Sequence, residues 1–328
     1  MNTIDQDTLR SVVENVIQQL GNPPAAPANA PTNSPASNPA GSTPAAAPSS
    51  DECCKAPGIG GKHGVFAHVC QASAAAQEAF LKLKELGVEG RKRVIEIVKE
   101  TCIANAEPWG KFELNETKIG RLDHKIEKLQ IVGHVPGVEW LAPNAMSGDN
   151  GITLEEYAPF GVIGAILPVT HSVPTLTGNV ISMVAAGNAV VFNPHPGGAK
   201  SAVMATRAYN QAIERELGVD NLICTIEEPT IETFEKICKN EHIALMAITG
   251  GPAVVDAAMK SGKRSVCAGP GNPVVVVDDS ANLDKAAINI IAGAAFDNNL
   301  LCIGEKSVFV VDSVFEPFMQ AMERAGAT

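Results

Sequence analysis

The sequence has few aromatic residues, little positive charge and no long apolar run. Only 4% of its residues are Phe, Trp or Tyr, and the formal net charge is −11 at pH 7. Binding to nucleic acid requires clustered Lys and Arg to neutralise phosphates, so this balance argues against a nucleic-acid partner. Apolar runs such as 161–167 and 274–277 are far too short to cross a bilayer. We therefore expect neither nucleic acid nor a membrane as a partner.

Several short motifs are missing as well. The eight cysteines form no C-x-x-C pair and no Cys/His spacing typical of zinc, so we expect no bound metal. Polar residues interrupt the start of the chain every few positions, unlike a secretory signal, which favours reduced cysteines in the cytoplasm. The G-x-G-x-x-G fingerprint is also missing, which excludes the commonest dinucleotide-binding motif.

The residues that are plentiful suit a globular α/β protein. Hydrophobic residues make up 45% of the 328 residues, and the mean hydropathy is +0.07. Much of this content is Ala, Val and Ile, which pack helices closely against buried strands. A chain of this length can bury a sizeable core in one large domain or two medium ones.

Residues 1–57 differ in composition from the rest of the chain. Within 1–21, aliphatic residues at helical spacing predict a short amphipathic helix, namely Leu9, Val12, Val13, Val16, Ile17 and Leu20. Residues 22–57 are mainly Pro, Ala, Asn, Ser and Thr and predict a disordered linker. The apolar stripe therefore predicts a helix that docks on a partner, although a frayed terminus without a role is the open alternative.

From residue 58 the pattern predicts a doubly wound, mostly parallel sheet. Helices are predicted first, over 72–86, 91–106 and 118–130. Strands are then predicted over 161–167, 189–192, 222–226 and 243–248, each followed by a helix, over 174–186, 201–217, 231–239 and 253–261. Alternating strands and helices favour parallel strands joined by right-handed crossovers.

Three loops follow these strands and are candidate binding segments. They cover 167–174, 193–198 and 249–252, and they are rich in Pro, Gly and hydroxyl residues. In such sheets, ligands bind where the carboxyl ends of strands enter helices, and glycine lets a pyrophosphate approach backbone N–H groups. Each loop taken alone is weak support, because Gly and Pro also end strands for structural reasons.

Five segments together resemble a known family. They are 157–164 (YAPFGVIG), 181–188 (ISMVAAGN), 193–196 (NPHP), 247–252 (AITGGP) and 302–307 (CIGEKS). In this order they resemble the aldehyde dehydrogenase superfamily, and within it the coenzyme-A-acylating branch of bacterial microcompartments, of the propanediol-utilisation propionaldehyde dehydrogenase type. The resemblance implies an NAD-binding domain with N-terminal helices over 58–266 and the start of a catalytic domain over 267–328.

The resemblance also implies the catalytic residues. Cys302 matches the nucleophile, whose thiolate attacks the aldehyde and becomes a thioester. The backbone N–H of Cys302 and, in place of an Asn of hydrolytic relatives, the hydroxyl of Thr170 are implied as donors to the oxyanion. The other seven cysteines, including Cys53 and Cys54, are expected to be small buried hydrophobic residues rather than nucleophiles.

A nicotinamide site is implied on the three loops and the segment after residue 268. Its expected residues are Pro168, His195, Pro196, Thr249, Gly250, Gly251 and Gly269. His195 either contacts the adenosine or is an ordinary turn histidine. Asn193 and Pro196 stand where many relatives carry the Lys and Glu that hold the adenosine ribose. Without that Glu the choice between NAD and NADP stays open, and the resemblance implies NAD.

Cys267 stands where hydrolytic relatives carry the Glu that activates water. General-base help is typically worth about a hundred- to ten-thousand-fold, so a thiol such as coenzyme A should be the acceptor. This predicts NAD-dependent oxidation of a short-chain, propionaldehyde-like aldehyde to acyl-coenzyme A. A hydrolytic aldehyde dehydrogenase is one alternative. An inactive encapsulated fragment that acts only through its N-terminal helix is the other.

The resemblance further implies partners and a location. Residues 1–21 resemble an encapsulation peptide that binds a shell protein, which places the protein in a microcompartment lumen within a bacterial cytoplasm. Relatives continue well past the position of Thr328, so we expect an incomplete catalytic domain here and a homo-oligomer in the full-length form.

Overall fold

The computed structural model describes residues 61–328. The helix predicted over 1–21 and the linker predicted over 22–57 lie outside the described residues. The strands are β1 (Val65–Phe66), β2 (Asn144–Gly148), β3 (Gly151–Glu155), β4 (Val162–Leu167), β5 (Ala189–Pro194), β6 (Ile223–Ile226), β7 (Ile243–Thr249), β8 (Ser265–Ala268), β9 (Val274–Val277) and β10 (Ser307–Val310). The α-helices are α1 (Val69–Ala104), α2 (Ala106–Thr117), α3 (Leu122–Gln130), α4 (Ser172–Ala185), α5 (Ala199–Leu217), α6 (Ile231–Lys239), α7 (Pro252–Lys260), α8 (Leu283–Ala295) and α9 (Phe315–Arg324).

A six-stranded parallel sheet forms the centre of the fold. Its strand order is β1-β6-β5-β4-β7-β8, and helices connect successive strands from β4 to β8. Every residue of β4 and β5 is buried, which explains why these strands are continuous apolar runs rather than alternating ones. The predicted α/β class with a mostly parallel sheet is confirmed.

The helices before the sheet differ from the prediction at their ends. The helices predicted over 72–86 and 91–106 form one run, α1, which is interrupted only at Gly87 with φ 66° and ψ −158°. Glycine reaches this backbone conformation because it has no Cβ. The helix predicted from residue 118 is wrong in its first turn, since Lys118 is left-handed at φ 59° and ends α2, a helix that the pattern did not indicate.

An antiparallel hairpin, β2–β3, was also missed. Its strands are exposed along their length, and Gly148 pairs with Gly151 across a turn made by Asp149 and Asn150. β2 lacks the apolar alternation that predicts a strand, whereas in β3 Ile152 and Leu154 alternate with polar residues over only five positions. The Asp-Asn-Gly turn was the available signal.

The buried hydrophobic residues form two clusters. The larger one draws on residues 66–258 and surrounds the six-stranded sheet. The smaller one lies under the parallel pair β9–β10 and consists of Val277, Ala287, Ile290, Phe318 and Ala321. The predicted domain boundaries remain a prediction. Within residues 61–328, no helix is both long and apolar enough to span a membrane.

Candidate active site

One cavity of about 1050 Å³ lies at the carboxyl ends of β4, β5, β7 and β8. The nine residues predicted from the sequence all line it, namely Pro168, Thr170, His195, Pro196, Thr249, Gly250, Gly251, Gly269 and Cys302. The fold therefore brings together segments that are up to 134 positions apart, as from Pro168 to Cys302. Their individual roles remain predictions.

Cys302 lies in an exposed turn between the 3-10 helix 296–299 and β10. The ammonium group of Lys306 donates to the carbonyl of Leu301 at 3.0 Å, and the N–H of Gly304 donates to the same carbonyl at 3.2 Å. On the other side, a Cβ added to Gly271 would collide with the carbonyl oxygen of Cys302. The backbone of the turn is thus held from within and against a neighbouring segment, while the thiol stays accessible.

The loop after β4 carries Thr170 and leads into α4. The hydroxyl of Ser172 donates to the carbonyl of Gly198 at 3.1 Å and so joins this loop to the loop after β5. Beside Thr170, burial and the positive charges of Lys128 and Lys125 lower the pKa of His171 to about 3. His171 is therefore a neutral imidazole at physiological pH.

The loop after β5 presents His195 and Pro196 to the cavity. The Nδ1 atom of His195 accepts a hydrogen bond from the N–H of Gly197 at 3.0 Å, so the neutral ring carries its proton on Nε2. Asn193 is buried, and its side-chain oxygen accepts a hydrogen bond from the hydroxyl of Thr233 at 2.6 Å. Asn193 thereby fixes the start of α6, whose residues form another wall.

The glycines of the remaining loops leave room in the cavity. A Cβ added to Gly251 would meet no atom within 4 Å, and one added to Gly269 would only touch Val255 at 4.0 Å. Side chains there would occupy cavity space. The walls are mainly apolar, with Ile166, Phe234, Val254, Ala257 and Leu301 among them. A long apolar cavity with open backbone at the carboxyl ends of parallel strands suits a nicotinamide dinucleotide.

Cys267 lies next to the cavity wall on β8. Ala268 and Gly269 line the cavity, whereas the Cys267 side chain packs against the larger hydrophobic cluster. Position 267 therefore offers the cavity no carboxylate or nitrogen base. Hydrolytic relatives are expected to hold a carboxylate at this position.

Two buried ion pairs near the site were not found from the sequence. Lys125 bonds Glu113 at 3.2 Å, and Lys128 bonds Asp297 at 2.5 Å, with side chains at most 1% exposed. Lysines three apart on an amphipathic helix normally indicate a solvated face, so no sequence signal pointed to burial. The cavity-lining Phe234, Cys238 and Lys306 were missed as well, because spacing alone does not separate cavity walls from core.

A group of possible metal ligands lies near the start of β1. One ligand atom each of His63, Glu214 and Asp220 lies within 4.8 Å of the others. The Nδ1 atom of His63 is 3.3 Å from a carboxylate oxygen of Glu214 and 3.8 Å from one of Asp220. An ordinary cluster of a histidine with two carboxylates accounts for this geometry, and we assign no metal to it.

Comparisons with known proteins agree with this architecture. The model of the aldehyde dehydrogenase family matches residues 60–328. A CoA-propanoylating propanal dehydrogenase from Salmonella typhimurium is 42% identical over 265 residues, which cover 80% of this chain and 57% of that protein.

Two solved structures share the fold. A propionaldehyde dehydrogenase from the Clostridium phytofermentans fucose utilisation bacterial microcompartment aligns with a TM-score of 0.75 at 42% identity, over 80% of this chain and 60% of that one. A propionaldehyde dehydrogenase from Rhodopseudomonas palustris, with bound CoA and an acylated cysteine, aligns with a TM-score of 0.75 at 37% identity, over 80% and 61%. This chain thus spans less than two thirds of these relatives, and it belongs to the aldehyde dehydrogenase family.

Proposed function

We propose that the protein oxidises a short-chain aldehyde to an acyl-coenzyme A thioester, with Cys302 as the nucleophile and NAD as the hydride acceptor. The observation that carries the proposal is the exposed Cys302 thiol in the wall of the cavity that the three cofactor loops also line. The Salmonella relative is named as CoA-propanoylating, and the Rhodopseudomonas structure holds CoA with an acylated cysteine, which supports the same chemistry here.

The first step is addition of the Cys302 thiolate to the aldehyde carbon. This forms a carbon–sulfur bond and moves the carbonyl electron pair onto oxygen. The donors proposed for that oxyanion are the N–H of Cys302 and the hydroxyl of Thr170, both on segments that line the cavity. Because the imidazole of His171 is neutral, the segment that carries Thr170 adds no positive charge to these two neutral donors.

The second step converts the adduct into a thioester and passes the acyl group on. When bound, NAD supplies the acceptor for the hydride that leaves the former aldehyde carbon. The thiolate of coenzyme A then attacks the thioester, Cys302 leaves as thiolate, and the balance is aldehyde, NAD⁺ and coenzyme A to acyl-coenzyme A, NADH and a proton. Water competes poorly, since position 267 offers a core-packed thiol rather than a general base.

The nucleophile is tested by substitution in the whole protein. Cys302→Ala should abolish aldehyde-dependent NADH formation and leave NAD binding within about twofold, because only the attacking atom is lost. Cys267→Ala is the matched control and should keep most of the activity, since that side chain packs against the core. Activity above a few per cent in Cys302→Ala would remove the assignment.

We further propose that residues 1–21 direct the protein to a microcompartment shell. The support is the aliphatic stripe in this segment and the microcompartment origin of the Clostridium relative. A helix of about twenty residues is marginal in water without a partner, and an apolar groove of a shell protein would bury the stripe. The segment lies outside the described residues, so the proposal rests on the sequence pattern.

The targeting proposal has a direct test. Residues 1–21 fused to a fluorescent protein should co-localise with shells, and the double substitution Val13→Asp and Ile17→Asp on the stripe should disperse the signal. Substituting Asp7 and Glu14, which lie off the stripe, by Asn and Gln gives the control that should stay localised. A parent fusion that remains diffuse in cells with shells would contradict the proposal.

A further inference from the structure

The backbone just before Cys302 has an unusual conformation. Three consecutive residues have positive φ, Asp297 at 48°, Asn298 at 58° and Asn299 at 57°. L-residues other than glycine rarely adopt this region, although Asp and Asn tolerate it best. The turn lies between the end of α8 and Cys302, so it sets the direction in which the chain delivers the nucleophile.

Asp297 is held by contacts from α3 and from Arg121, the residue just before that helix. Its Oδ2 accepts from the ammonium of Lys128 at 2.5 Å, and its Oδ1 accepts from the backbone N–H of Arg121 at 2.7 Å. Its own N–H donates to Nδ1 of His124 at 2.7 Å, and the His124 ring stacks on Phe296 with centroids 4.2 Å apart. Both the backbone and the carboxylate of Asp297 are thereby fixed against one helix.

The space around the carboxylate is closed. A Cβ added to Gly120, where φ is 87°, would collide with the Asp297 carboxylate, so this approach requires glycine. The Lys128 and Asp297 side chains are 1% and 0% exposed. Neither side chain lines the cavity, so the pair does not contact a ligand bound there.

The surroundings of the pair favour the charged form of the Asp297 carboxyl group. Burial raises the pKa of Asp297, but the hydrogen bonds from Lys128 and from the N–H of Arg121 outweigh it and leave that pKa lowered. Burial lowers the pKa of Lys128, which the bond to Asp297 opposes. The positive charge of Lys128 also lowers the pKa of His171, next to Thr170, so one buried ammonium acts on both loops.

We propose that Lys128 and Asp297 are positioning residues that hold the Cys302 turn in the geometry needed for attack on the aldehyde. This inference rests on the proposed function for its kinetic consequence, but the ordering of the turn can be measured without any turnover. A buried ion pair often contributes little net stability, whereas it can select one conformation. A misplacement of about 1 Å in a reacting group can cost roughly a hundredfold in rate.

The chain offers a matched control on the same helix. Lys125 and Glu113 form an equally buried pair between α2 and α3, and among residues 61–328 neither side chain hydrogen-bonds to the Cys302 turn. Asp297→Asn removes the charge and keeps a residue that tolerates positive φ, and Lys128→Met removes the partner. Glu113→Gln is the control, and the double variant Lys128→Met/Asp297→Asn leaves no unpaired buried charge and should fold stably.

Backbone amide hydrogen exchange, which reports on the order of the turn, provides the first readout. Peptides covering 297–306 should exchange about tenfold faster in Asp297→Asn, in Lys128→Met and in the double variant, because the turn has lost its anchor. In Glu113→Gln the same peptides should exchange at the parent's rate under conditions where each variant is fully folded. Equal acceleration in Glu113→Gln, or no acceleration in the double variant, would overturn the proposal.

Kinetics in the whole protein provide the second readout. In the double variant, kcat for aldehyde-dependent NADH formation should be about 100-fold lower with KM for the aldehyde within about threefold, although its stability approaches the parent's. If kcat of the double variant returned to the parent's value together with its stability, the pair would have only a structural role. If Cys302→Ala retained activity, the proposed function would fail, while the exchange result would still decide whether the pair orders the turn.

Discussion

At the scale of single residues, the site combines a close approach of two backbones at the Cys302 turn with a neutral histidine beside Thr170. Gly271 lies against the carbonyl of Cys302, and His171 stays unprotonated beside Thr170. The motif around Cys302 predicts a nucleophile there, which stays a prediction, and the predicted loops line the same cavity as Cys302. It could not predict the Lys128–Asp297 pair, because nothing in a lysine on an amphipathic helix indicates a partner 169 positions away.

Gly271→Ala should displace the Cys302 turn, because the new methyl group would collide with backbone rather than with a movable side chain. We expect at least a tenfold loss of kcat in the whole protein, measured as aldehyde-dependent NADH formation. Gly178→Ala in α4 is the control, since a Cβ there meets nothing within 4 Å, and it should retain the parent's activity. Full activity in Gly271→Ala would show that the turn does not need this contact.

The histidine at position 171 should make the fold sensitive to acid. Between pH 6.5 and about 3, the unfolded chain takes up a proton on His171 that the folded chain does not, so the free energy of unfolding falls as the pH falls. In His171→Gln this loss should be shallower by up to about 1.4 kcal/mol per pH unit. Urea unfolding at pH 7, 5.5 and 4.5 measures it, with exposed His134→Gln as the control. A slope in His171→Gln equal to the parent's would contradict this account.

At the scale of elements, the site depends on how helices begin beside the cavity. Glu116 of α2 accepts hydrogen bonds from the N–H groups of Lys200 at 2.8 Å and of Ser201 at 2.7 Å, in the first turn of α5. The parallel strands were predictable because buried Val and Ile runs leave a clear pattern. α2 and the β2–β3 hairpin were not, since α2 is stabilised by tertiary contacts with the next helix, α3, and with α5 far along the chain, and the hairpin is exposed.

Glu116→Ala should destabilise the fold and loosen the His195–Pro196 loop that leads into α5. Loss of an N-terminal cap typically costs about 1–2 kcal/mol, because the first N–H groups of the helix lose their acceptor. Urea unfolding measures this loss, and a rise in KM for NAD should accompany it. Glu107→Ala, which removes only an exposed pair with Lys111, is the control and should leave the unfolding midpoint nearly unchanged. Equal midpoints for the two variants would contradict the capping role.

At the scale of the whole molecule, the cavity is lined by residues from both of the segments that carry the two hydrophobic clusters. The larger cluster positions the cofactor loops, and the segment that carries the smaller cluster brings in Cys302. The sheet and its carboxyl-end cavity followed from the alternation of strands and helices. The separation into two clusters depends on packing that no periodicity encodes.

The central claim is that Cys302 carries the acyl group until coenzyme A removes it. The most direct measurement mixes the whole protein with propanal and NAD, first without and then with coenzyme A, and follows NADH together with the mass of the peptide that contains Cys302. We predict a burst of about one NADH per site, an acyl group on Cys302, and steady turnover to acyl-coenzyme A only after coenzyme A is added. Sustained NADH formation with release of free propanoic acid in the absence of coenzyme A would contradict the account.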